Sequence, residues 1–222
     1  VGAGRLDSTF SPDDLAAIAA AVHDVESRSP GEIVPYAADR SDAYPEAAWI
    51  TATLGALLGG LAAAVADGLS GGALEQPGPL WLAGPPIVGA ALGYLLGAAW
   101  PALRIRLVHA DVVEHRVRQR ALAAFVEQEV FRTEARTGIL LFLSLLERRV
   151  IVLADTGITA RVPQQEWDAI VGGVVAGMRR GQAGPALAEA IRRCGHLLAA
   201  HDLRRRPDDR DELPDELRRR SE

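Results

Sequence analysis

Four carboxylates stand where chemistry could gather in this 222-residue chain: Asp39 and Asp42 behind one apolar run, Glu147 in a charged turn, and Asp155 closing another run. Their oxygens suit a hard divalent cation, calcium or magnesium, better than zinc, which takes nitrogen and sulfur. Asp39, Glu147 and Asp155 are the candidate metal ligands. His23, His109, His115, His196 and His201 lack the paired spacing of a zinc-binding helix. No glycine-rich phosphate loop, cysteine nucleophile with its arginine, or serine nucleophile elbow occurs in the sequence. Hydrolysis by this chain would therefore have to run through scattered carboxylates and a metal, with Asp155 the candidate catalytic residue.

Asp155-Thr156-Gly157 has the composition of the aspartic-protease triplet, in which two carboxylates share a proton. That chemistry needs a second triplet and a mostly β chain, whereas the flanks here are helical in pattern. The expectation is a strand-end turn with Asp155 at the mouth of a sheet, where ligands often bind. Cys194 is the one cysteine, so an intramolecular disulfide is excluded. It falls on an apolar helix face, as a small buried hydrophobe does.

The formal net charge is −5, and every basic residue is arginine. No continuous basic surface is legible, which argues against nucleic acid as a partner. The apolar residues that make up 49% of the chain are concentrated in its middle, while the flanks carry most of the charge. Two solvents are implied.

The elements that must position the carboxylates can be read from periodicity. Ser11-Pro12-Asp13-Asp14 is a helix start, with a capping serine, a first-turn proline and two acids at the positive end. Leu15, Ile18, Val22 and Val25 give that helix one apolar face. Glu32 to Ala38 reads as a strand, and Pro35 assigns it to an edge or a bulge. Residues 138–146 and 150–154 are apolar runs separated by Glu147-Arg148-Arg149, the pattern of an antiparallel hairpin in a covered sheet. Asp111 to Phe131, Pro163 to Arg180 and Pro185 to Asp202 read as amphipathic helices, the last two covering the sheet. Residues 203–222 are charged and proline-bearing, and are expected to be a disordered tail.

Between the first strand and the Asp111 helix lie two uncharged runs, near residues 47–66 and 80–103. At about 1.5 Å per residue each spans a bilayer core of about 30 Å. Trp49, Trp81 and Trp100 sit near their ends, at headgroup level. Gly55, Gly59 and Gly60, with Gly89, Gly93 and Gly97, offer small-residue surfaces for packing the two helices on each other or on a second copy. Arg104, Arg106, Arg116 and Arg118 cluster after the second run, whereas residues 67–79 hold no basic residue. The arginine-rich flanks should therefore face the cytoplasm, on the inner side of a multi-pass protein of the cell membrane.

Residues 26–34, Glu-Ser-Arg-Ser-Pro-Gly-Glu-Ile-Val, resemble the opening of the TPM domain. Residues 136–158, a strand, Glu-Arg turn, strand and Ala-Asp-x-Gly run, are similar to that family's central hairpin. The resemblance covers residues 10–40 and 110–202, with residues 46–108 as a transmembrane helical hairpin inserted between them, as in bacterial membrane-bound members. It implies a Rossmann-like α/β/α sandwich with a small mixed sheet. The family includes a thylakoid lumen phosphatase and a photosystem II repair protein, and acid phosphatase activity and calcium binding are ascribed to some members. Asp155, and with it Glu147 and Asp39, lie at positions matching the family's acidic pattern. The leading expectation is a membrane-anchored module that binds a membrane or cytoplasmic protein partner or a divalent cation, in membrane protein quality control. The alternative is a metal-dependent acid phosphatase acting on phosphomonoesters. The lipid bilayer is a partner in either case, and the membrane helices offer a surface for homo-oligomers.

Overall fold

In the computed structural model, which describes residues 5–69, 79–201 and 213–220, the chain divides into two compact units. One is made of residues 1–42 and 114–222, the other of residues 43–113. The first is a mixed α/β unit. Its helices are α1 (Arg5–Thr9), α2 (Pro12–Glu26), most of α6 (Ala110–Glu127), α7 (Thr156–Thr159), α8 (Gln164–Arg179) and α9 (Ala183–Ala200). Its strands are β1 (Glu32–Ala38), β2 (Gly138–Ser144), β3 (Arg149–Ala154) and β4 (Arg218–Arg220). They form one four-stranded sheet in the order β3-β2-β1-β4, with β1 parallel to β2 and β4, and β2 antiparallel to β3.

Local chemistry sets these elements as expected at several points. Ser11 caps α2 through a reciprocal box with Asp14: the Asp14 N–H donates to Ser11 Oγ at 3.1 Å and the Ser11 N–H to Asp14 Oδ2 at 3.0 Å. The hairpin of β2 and β3 pairs Leu143 with Val150 and Ile139 with Ala154. Ile33, Ala37, Ile139, Leu141 and Leu143 enter one continuous core with Ile18, Val22, Trp167, Ile170, Leu187 and Ile191. On the other face Val34, Leu140 and Phe142 are also buried, and Arg120 of α6 donates to the Tyr36 hydroxyl at 2.9 Å while lying over its ring. Sheet residues buried on both faces explain why β2 reads as a continuous apolar run rather than an alternating one.

Two expectations about the α/β unit are corrected. Pro35 does not put β1 at an edge, because β1 lies between β2 and β4. In a strand, successive N–H groups point to opposite neighbours. The Glu32 N–H points toward β2, to the Thr137 carbonyl, whereas the Ile33 and Asp39 N–H groups point the other way, to Glu26 Oε1 and the Arg220 carbonyl. Pro35 shares the parity of Ile33 and Asp39, and β4 begins only opposite Tyr36, so no ladder bond is lost. The second correction concerns the tail. Residues 202–212 lie outside the described residues, but residues 218–220 form β4, and Leu217 joins the core. Composition does not reveal this segment because its order comes from backbone pairing, arginine contacts and one buried leucine rather than from a periodic apolar pattern.

The second unit is helical: α3 (Pro45–Leu69), α4 (Pro79–Ala99) and α5 (Pro101–Leu107). The uncharged run that extends to residue 103 in the sequence is not one helix. Instead Trp100 adopts an extended conformation ahead of Pro101, and the helix stops at Ala99. α3 and α4 pack backbone to backbone. A Cβ on Gly55 would lie 2.1 Å from the Gly89 carbonyl oxygen, on Gly59 2.2 Å from that of Pro85, and on Gly93 2.1 Å from that of Thr51. Gly60 stands outside this seam, with only Pro86 Cγ near it. Residues 70–78, between the two helices, lie outside the described residues.

Candidate functional site

The sheet sorts the four carboxylates to opposite ends. β1 and β2 run parallel, so Asp39, Asp42 and Glu147 all follow the carboxyl ends of these strands. β3 runs back, which carries Asp155 to the amino ends, beside Gly138. Six strand steps separate the two ends, about 20 Å. One ion cannot be held by Asp155, Glu147 and Asp39 together, and among the described residues no group of three or more histidine, cysteine, aspartate or glutamate side chains converges as a metal site.

At the carboxyl end, each acid is already engaged. Asp39 Oδ1 accepts from the Leu6 N–H at 2.8 Å. Glu147 is buried: its Oε1 accepts from the Ser41 N–H at 2.9 Å and its Oε2 from the Ser144 hydroxyl. The Ser41 and Ser144 hydroxyls are 2.7 Å apart. With the Ser144 proton directed at Glu147, Ser41 is the donor between them, giving a chain from Ser41 through Ser144 to the carboxylate. Asp42 forms an ion pair with Arg116. This network closes the end of the sheet, and its serines carry no charge that would mark them in the sequence. The parallel register of Ala38 with Ser144 is the signal that could have found them.

At the opposite end Asp155 is the cap of α7. Its Oδ1 accepts from the Thr156 N–H at 2.6 Å, and Oδ2 lies 2.9 Å from Arg136 Nε, an ion pair without a well-directed hydrogen bond. Gly157 is required by close approach, since a Cβ there would meet the Ala135 carbonyl oxygen at 2.6 Å. The triplet thus joins the end of β3 to the turn that enters β2, and its residue types are accounted for by a cap and a contact. Cys194 is fully buried, and burial pushes its thiol up to about 12. It is not a nucleophile at neutral pH.

The second unit presents a different kind of surface. Large apolar side chains of α3 and α4 stand exposed along the pair: Leu57 at 65%, Leu58 at 66%, Ile87 at 66% and Leu92 at 63%. Both helices are long and apolar enough to cross a membrane. Trp49 packs edge-on against Tyr94 near one end of the pair, with Trp100 at that same end and Trp81 at the other. Arg104 turns back from α5 to cap α4: Nε donates to the Gly97 carbonyl at 2.9 Å and Nη2 to that of Ala98, while Nη1 reaches the Ala43 carbonyl at 2.9 Å. A guanidinium at the negative end of a helix is favourable.

No protein-family model matches the chain, and no curated protein matches it. Among solved structures, the chain is similar to the NMR structure of BA42 protein from the psychrophilic bacterium Bizionia argentinensis sp. nov.. The TM-score is 0.59 at 16% identity, over 98% of this chain and 99% of that one. The likeness is one of fold.

Proposed function

We propose that the chain is a membrane-anchored binding module, a TPM-type domain whose α3–α4 hairpin crosses the bilayer and whose α/β unit recognises a protein partner at the cytoplasmic face. The α/β unit is read as a Rossmann-like α/β/α sandwich interrupted by the inserted hairpin. The observation that carries the anchoring is the combination of a tight glycine seam inside the hairpin with exposed leucine, isoleucine and valine around it. A soluble helical pair would bury those side chains, since exposing a large apolar surface forfeits about 25 cal/mol for each Å² left in water. α3 at 25 residues and α4 at 21 are about 37 and 31 Å long, a match to the bilayer core.

Orientation is read from charge. Within the hairpin unit the arginines, Arg104 and Arg106, lie at the end where the chain enters and leaves, whereas Asp67 lies toward the other end. A role in membrane protein quality control agrees with a binding module held at the membrane, and no reaction is assigned. The phosphatase alternative gains no support from the geometry: Asp155 is occupied by Arg136 and Thr156 and stands apart from the other carboxylates.

The test is topological. In a Cys194→Ala background, a cysteine introduced at Ser70 should react with a membrane-impermeant maleimide in right-side-out vesicles. A cysteine at Asp13 should react only after lysis. Equal reaction at both positions before lysis would refute the proposal.

A further inference from the structure

We propose that the outer edge of β1 is a strand-docking site for an extended, arginine-bearing segment of a partner protein, with the chain's own β4 as its resident and exchangeable occupant. This deepens the binding-module reading by giving it a surface and a partner chemistry. β2 pairs with β1 over seven residues, but β4 covers only Tyr36, Ala37 and Ala38. Pro35 has no N–H to offer on that side, so the edge accepts a short strand and no longer one.

Side chains make up for the short ladder. Three consecutive arginines each find a different acceptor, and they alternate between faces as strand residues must. Arg218 Nη1 donates to the Gln128 carbonyl at 3.1 Å and to Gln128 Oε1 at 2.7 Å, and Arg220 lies 3.5 Å from Glu127, both on α6. Arg219 points the other way and donates to Asp7 Oδ1 of α1 at 3.1 Å. The backbone joins through the Asp39 N–H, which donates to the Arg220 carbonyl at 3.2 Å. The edge is therefore a slot flanked by acceptors on both faces, complementary to an extended segment with arginines at successive positions.

The ion pairs of the resident strand lie at the surface. Arg219 and Arg220 keep 41% and 44% of their side-chain surface in water, where an ion pair contributes little. Burial lowers the pKa of Arg218, a sign that docking strips water from its guanidinium. Leu217 is the apolar anchor of the segment in the core. β1 is paired to β2 along its whole length, independently of the three residues it shares with β4. Short edge elements of this kind open locally well below the global unfolding free energy.

The experiment uses the full chain in detergent and a fluorescein-labelled peptide with the sequence of residues 213–220. A tethered tail competes at an effective concentration of about millimolar. The wild-type chain should therefore bind the peptide at least tenfold more weakly than Leu217→Asp, with Arg218→Gln as a milder second variant. A peptide carrying glutamate at the three arginine positions should not bind. By hydrogen exchange, the Ala37 and Asp39 amides should exchange faster than those of Val34 and Leu141. Equal peptide affinity for wild type and both variants, or Ala37 and Asp39 amides as slow as Val34, would make β4 a permanent fourth strand and overturn the proposal. Neither result depends on lipid, so failure here leaves the membrane reading to the labelling test.

Discussion

Single residues in this chain are explained by what touches them. Gly138 opens β2 with its α-carbon against the Val130 carbonyl, and a Cβ there would sit 2.0 Å from that oxygen. Gly138→Ala should cost roughly 3 kcal/mol in denaturant titration, the upper end for forced overpacking. Gly172, inside α8, has no atom within 4 Å of its Cβ position. Gly172→Ala should gain about 0.5–1 kcal/mol from helix propensity alone. Cys194 gives a pH-dependent prediction. In the unfolded chain its thiol ionises near its ordinary value, about 8.5, while in the folded chain burial holds it protonated up to about 12. The unfolded state thus loses the proton first, and stability should fall as pH rises from about 9 toward 12, by about 1–2 kcal/mol at pH 10. Comparing denaturant midpoints of the wild type and Cys194→Ala across that window checks it, since the variant should lack this part of the slope.

At the level of elements, legibility followed the range of the interactions. The α2 cap, the β2–β3 hairpin and the apolar stripes of α8 and α9 could be read from the sequence, because each depends on spacings within a few residues. β4 and the interior position of β1 could not. Both depend on pairing between Tyr36 and Arg218, residues that no local pattern connects. The candidate carboxylates were recognised as residues but not as an arrangement. Asp155 was placed at a sheet mouth, yet the antiparallel return of β3 that parts it from Asp39 and Glu147 is a property of topology. The hairpin is the most testable element. Gly55→Val or Gly93→Val should push α3 from α4 and lower the thermal midpoint of the detergent-solubilised protein by several degrees. Gly84→Val, which meets no atom within 4 Å, should leave it nearly unchanged. Equal effects at all three positions would mean that the seam is not where the helices are held.

For the whole molecule, the chain combines an α/β unit of conventional core with a helical pair that sets Gly55, Gly59, Gly89 and Gly93 in its seam and exposes its leucines. That inversion makes sense in lipid, where helix pairs are held by close backbone packing rather than by withdrawal of apolar surface from water. The most direct measurement is membrane association after an alkaline carbonate wash. The 222-residue chain should remain with the membranes and float with them on a density gradient. A variant with Leu57, Leu61, Leu92 and Leu95 all changed to glutamate should be released, because charges at these depths cost about 2.5–3.5 kcal/mol each in a bilayer. A wild-type chain that washes into the supernatant as a monodisperse soluble protein would contradict the account at its centre.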